Sequence, residues 1–165
     1  MATLAIVTIM LTLGAPSFNA MLAKSRLEAD SSGLLAHLIY AREEARNSAS
    51  LITICMSADG ATCGVAGWSQ GHIVFRDGGA PGTVGATDTL LRHGQAVNTS
   101  VSVSAAILGS GATYTQKYVS FDSDGKLVGE NALRFTLCAP GQLPRQLALR
   151  LNGNVSAAKG AVLCT

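Results

Sequence analysis

The chain is short of charge, aromatic rings and proline. Of its 165 residues only 13% are Asp, Glu, Lys or Arg, 5% are aromatic and four are proline, against 18 glycines. With 48% hydrophobic residues and a mean hydropathy of +0.32, so low a charge content excludes a solvated disordered chain. The scarcity of rings leaves the core to small and aliphatic side chains. The length is that of one domain with an end segment. The net charge of +2 divides as 0 over 1–50, −1 over 51–110 and +3 over 111–165, a basic excess too thin for a nucleic-acid footprint.

Several chemistries lack their motifs. His37, His72 and His93 stand in no H-E-x-x-H or H-x-E arrangement, neither a Gly-x-Ser-x-Gly elbow nor a Walker loop is expected, and the three read as ordinary surface or sheet-edge histidines. A Ser/His/Asp triad drawn from this many serines would be a chance assembly. Glu43 and Glu44 beside Arg42 and Arg46 read as a helix exit with i,i+3 and i,i+4 partners rather than as paired catalytic carboxylates. Trp68, the only tryptophan, reads as core packing. The expectation is a chain without catalytic residues, cofactor or metal.

Charge is absent altogether from Met1 to Phe18, a run of Leu, Ile, Val, Ala, Met and Thr with Pro16 near its end. As a helix it reaches about 27 Å, slightly short of the roughly 30 Å hydrocarbon thickness. No basic stretch precedes it and Phe18-Asn19-Ala20 is a poor cleavage site, so a retained segment is favoured over a secretory signal. The helical pattern continues: Leu27, Leu34, Leu38, Ala41 and Ala45 follow at steps of 7, 4, 3 and 4, one apolar stripe with the charges largely off it. One long helix is expected, transmembrane over 1–20, kinked at Pro16, and amphipathic over 21–47.

From residue 48 the period becomes alternating. Residues 51–56, 72–76, 89–92, 118–122, 133–138 and 145–151 are short runs bounded by Gly, Asp, Asn or Pro, and residues 97–107 alternate most clearly, valines with serines. Asn152-Gly153 predicts a type I′ hairpin before a last strand around Val155, and the glycine-rich residues 77–86 a loop. The fold class is α+β: the amphipathic half of the helix packed on an antiparallel β-sheet domain over 48–165. Four cysteines, Cys55, Cys63, Cys138 and Cys164, fit two disulfides in an oxidising compartment. Three pairings are possible. Proximity favours Cys55 with Cys63 and Cys138 with Cys164, which in the chain-entropy model contribute about 2.5 and 3.5 kcal/mol. The spacing lacks the close C-x2-4-C pairs of a structural zinc site.

Four segments together resemble a known family. Thr3–Phe18 resembles a pilin membrane helix with its proline; Arg26-Leu27 through Ala41-Arg42-Glu43-Glu44-Ala45 resembles an RL…ARxEA helix; Cys55 with Gly67-Trp68 and Val74-Phe75-Arg76-Asp77 resembles a C…GW…VFxD block; Phe121-Asp122-Ser123-Asp124-Gly125 resembles an F…G turn. The family is that of the FimT/GspH-like minor pilins and pseudopilins of bacterial type IV pili and type II secretion systems. Family precursors carry a basic leader and a Gly-Phe-Thr-Leu-Ile-Glu processing site before the point where this chain opens. A full-length precursor, substrate of a prepilin peptidase, is therefore expected to add a leader and roughly six mature residues, which would also lengthen the span.

The resemblance implies a filament subunit in the inner membrane with its C-terminal domain in the periplasm. Its partners would be other pilins or pseudopilins, met through Leu4, Ile6, Val7, Ile9, Leu11, Leu13, Pro16 and Phe18. It also raises an alternative. Some FimT-like members bind DNA for uptake through a C-terminal Gly-Arg-x-Arg turn, matched here by Gly153-Asn154-Val155-Ser156 without the arginines, so any DNA contact would fall to Arg145, Arg150 and Lys159.

Overall fold

The computed structural model describes the backbone of residues 2–64 and 67–164, and side chains from Phe18 onward. Among the described residues one α-helix, α1 (Ala2–Ser48), leads into eight strands: β1 (Ile52–Met56), β2 (His72–Arg76), β3 (Thr89–Gly94), β4 (Ser102–Ile107), β5 (Tyr118–Phe121), β6 (Leu133–Cys138), β7 (Arg145–Leu149) and β8 (Val155–Lys159). They form two antiparallel four-stranded sheets, ordered β3-β2-β1-β5 and β4-β6-β7-β8. The expected packing of helix on antiparallel sheet holds, with two sheets sharing one helix. Among the described residues no helix is long and apolar enough to cross a membrane. The expected span, its kink at Pro16 and the packing residues Leu4 to Leu13 lie outside the described side chains.

The helix is held by one seam. Leu27, Leu34, Leu38, Ala41 and Ala45, the stripe anticipated from spacing, are all buried. The seven-residue step between Leu27 and Leu34 is filled by Ser31, also buried, whose hydroxyl donates to the Glu28 carbonyl at 3.0 Å and so enters the core satisfied. These side chains join Ile52, Ile54 and Phe121 of the first sheet and Phe135, Leu147 and Leu149 of the second in one cluster. A further cluster of Cys55, Ile73 and Phe75 lies apart from it. Burial on both faces explains why β1 and β2 are continuously buried where a half-exposed strand would alternate.

The helix ends at a Schellman-type cap. The Ser50 amide donates to the Ala45 carbonyl at 3.2 Å, and Ala49 between them takes φ +47°, the left-handed conformation usually left to glycine.

Two local expectations are corrected. The alternating run 97–107 is a strand only from Ser102. Asn98 breaks it, because its side-chain oxygen accepts from the Ser100 amide and hydroxyl while its carbonyl accepts from the Val101 amide, closing a turn. The hairpin at Asn152-Gly153 is not type I′. Asn152 keeps negative φ, Gly153 alone is left-handed at φ +76°, and the Gly153 amide donates to the Arg150 carbonyl. That is the longer loop closed by one αL glycine. The disulfides are Cys55–Cys63 and Cys138–Cys164.

Leu38→Ala, which empties a fully buried seam position, is expected to cost about 2–5 kcal/mol in urea unfolding. Ala49→Gly should raise stability by about 1 kcal/mol by removing the Cβ penalty of the left-handed cap.

Candidate functional site

The structure brings together residues that the sequence scatters. His37 on α1 and His72 at the start of β2 meet with Nδ1 and Nε2 2.7 Å apart, their rings edge to face. His72 is buried, and the Cβ of any residue larger than glycine at 94 would strike its ring, so Gly94 of β3 makes the pocket possible. His93 lies close enough to oppose their protonation. The three rings, with Asp30, Leu34, Trp68 and Val97, line a groove of about 270 Å³ between the helix and the edge of the first sheet. The reading of surface or sheet-edge histidines holds for His93, exposed on the edge strand β3, and is corrected for His72, which is buried and bonded to His37 because α1 crosses β2.

Burial lowers the pKa of both histidines before any charge acts. For His72 desolvation is the largest cause, then the charges of His37 and His93, and its pKa falls to about 4; for His37 desolvation is followed by Arg92 and His93. Both rings are neutral at pH 7, so one donates N–H to the other's lone pair and helix and sheet are joined by an uncharged hydrogen bond. Among the described residues no group of three or more His, Cys, Asp or Glu side chains is arranged to hold a metal ion.

Trp68 packs edge to face on Phe135 at 4.9 Å, as its core reading anticipated. The reading that no Gly-x-Ser-x-Gly motif occurs is corrected, because the run Gly67-Trp68-Ser69-Gln70-Gly71 has that spacing. The strand–turn–helix context of an elbow is missing: Ser69 sits in a one-turn 3-10 helix, Trp68–Gln70, and its hydroxyl accepts from the Val103 amide at 2.8 Å.

The basic residues proposed to touch nucleic acid are not assembled into one patch. Arg145 is ion-paired with Glu28 of the helix and is the strand partner of Lys159. Arg150 lies past the other end of β7, about 17 Å away along an extended strand. Within the turn Gly153 alone is buried, its Cβ position filled by the Gly125 carbonyl and Arg42, while Leu151, Asn152 and Asn154 around it are exposed.

What the domain leaves uncovered is the opposite side of α1. Ser25, Ala29, Ser32, Gly33 and Ala36 are exposed at helical spacing, flanked by exposed Met21 and Leu22 at one end and Ile39 at the other. Of the residues expected to pack a filament only Phe18 is described, and it is 61% exposed. Small residues there let another helix approach closely. The sequence signal was present as a second stripe at steps of three and four, masked by its lack of large apolar residues.

A profile of the family described as "Type II transport protein GspH" matches residues 30–154. No curated protein matches the chain. The fold is similar to the type IV minor pilin FimU of Pseudomonas aeruginosa, at 20% identity over 82% of this chain and 90% of that one, with a TM-score of 0.63. It is also similar to the minor pseudopilin EpsH of the type II secretion system of Vibrio cholerae, at 13% identity over 84% and 98% of the two chains, TM-score 0.59.

Because both histidines bind protons less readily folded than unfolded, stability is retained above the unfolded pKa near 6.5 and lost as pH falls from there toward 4. Unfolding free energy should drop by on the order of 1 kcal/mol between pH 7.5 and 5.5. His72→Gln should flatten that dependence.

Proposed function

The chain belongs to the GspH family, and we propose that it serves as a minor pilin or pseudopilin, a structural subunit of an envelope-spanning filament. The single observation that carries this reading is the two-sidedness of α1. One face is consumed by the chain's own sheets; the other, about 32 Å from Leu22 to Glu43, is left open and lined by small residues. A helix with an open face of that length is built to lie against other helices.

The apolar residues before it extend the same role into lipid. Met1–Phe18, with Leu4, Ile6, Val7, Ile9, Leu11 and Leu13, anchors the subunit in the inner membrane and then packs among neighbouring helices in the filament. That exchange of lipid for protein contacts changes the hydrophobic contribution little. The strand domain faces the periplasm, where both disulfides persist. The pilin and pseudopilin neighbours FimU and EpsH support the reading in equal measure, and filament class follows from the operon rather than from this domain.

Ala36→Glu and Gly33→Glu place a carboxylate in the open stripe without touching the core. Both variants should keep the wild-type melting temperature yet appear at least tenfold less in the sheared filament fraction, in roughly the proportion expected for burying an unpaired charge between helices. Wild-type incorporation of both would overturn the proposal.

A further inference from the structure

The end of the domain nearest the apolar segment is unlike the rest of its surface. Cys138–Cys164 ties the chain terminus back under the second sheet, and the Cys164 amide donates to the Gln142 carbonyl while the Gly141 amide donates to the Cys164 carbonyl. Gln142 in turn donates its side-chain amide to the Ala20 carbonyl at 3.5 Å, which sets this rim at the level where α1 passes from apolar to charged sequence. Leu143, Val162 and Leu163 are 42%, 78% and 56% exposed there, although the cystine and the two backbone bonds hold their loops in place. Beside them a groove of about 250 Å³ is lined by Lys24, Lys159, Gln142 and Leu143, with Leu27, Glu28 and Arg145 completing it.

The side chains of this rim are basic on balance. Residues 139–144 and 156–165 contain no acid, and the first acidic residue along the helix, Glu28, is ion-paired with Arg145. That leaves Lys24 and Lys159 as exposed cations next to the exposed aliphatic side chain of Leu143. The interface of a bilayer meets both halves of that combination: acyl chains accept the aliphatic groups and phosphates accept the ammonium groups.

We infer that this rim is a membrane foot: Leu143, Val162 and Leu163 dip into the headgroup boundary while Lys24 and Lys159 clasp the phosphate of an anionic phospholipid in the groove between them. The inference rests on the proposed anchoring of Met1–Phe18, which places the rim at the bilayer surface. It goes further, because an anchor alone leaves the domain free to swing, and a foot fixes its orientation before it enters a filament.

The test uses Val162→Trp in the full-length protein, reconstituted into vesicles of phosphatidylglycerol and phosphatidylethanolamine carrying bromine on acyl carbons near the headgroup. The wild type, whose one tryptophan is buried, provides the background. Trp emission from residue 162 should be quenched, and Lys24→Gln with Lys159→Gln should reduce that quenching by at least about twofold while flotation with the vesicles stays unchanged. Leu163→Trp reports the same rim should the first variant not fold.

Flotation without quenching at either position would overturn the foot and leave the anchor standing. Failure to float would remove both. Quenching that ignores the two lysines and the phosphatidylglycerol content would overturn the headgroup clasp. Shielding that arises only when other pilin subunits are added would make the rim a protein contact instead.

Discussion

Everything in this domain depends on the burial of one face of α1. The two sheets share no strand, and the side chains that join them in one cluster include the helix seam of Leu27, Leu34, Leu38, Ala41 and Ala45. Alanine at 41 and 45 brings the helix backbone near the sheets, so leucine is needed only where the separation is larger. With several buried side chains each contributing roughly 1.5–3 kcal/mol, the seam supplies much of what holds a ring-poor core together. It also fixes what remains outside, because a helix committed on one side must present its other side to something else.

Few charges are present, and most of those that are have structural employment. Glu28 meets Arg145, Glu44 meets Arg76 and Arg42 reaches the Gly125 carbonyl, so both ends of the seam are tied to the strands by polar contacts. The loops are ordered by single aspartates. Asp59 accepts from the amides of Ala61 and Thr62, Asp88 from those of Gly78 and Gly85, and buried Asp77 from Thr53 and the amides of Gly79 and Gly82. Each carboxylate satisfies backbone donors that the glycine-rich loops would otherwise leave unpaired. The Cys55–Cys63 bridge fastens one of those loops to β1, and the adjoining cluster includes Phe75 of β2 and half-buried Tyr118 of β5.

The surfaces to which we assign function are the parts this economy leaves over: a stripe of small residues along the helix, and a basic, aliphatic rim beneath the second sheet. In the proposed role they meet different partners, helices for the first and lipid for the second. A subunit that must leave a bilayer and join a filament needs both, and needs neither to be strong. The neutral histidine pair between α1 and β2 adds a contact with the opposite property, since it is sound at neutral pH and opposed by protonation.

Much of this was legible without coordinates. Apolar spacing marked the helix seam residue by residue, because a helix repeats its faces every 3.6 residues whatever it packs against, and the cystines followed from proximity along the chain. Strands bounded by glycine, aspartate and asparagine were found nearly to the residue. Periodicity misled where a side chain outcompeted it, as when Asn98 folded the alternating run into a turn, or where loop length rather than an Asn-Gly pair set the hairpin. What only tertiary structure decided was adjacency across the seam. His37 and His72 are 35 positions apart and Gln142 and Ala20 are 122 apart, and no local pattern encodes such meetings. They exist because the helix is long enough to cross both sheets, which places each of its turns beside a different strand.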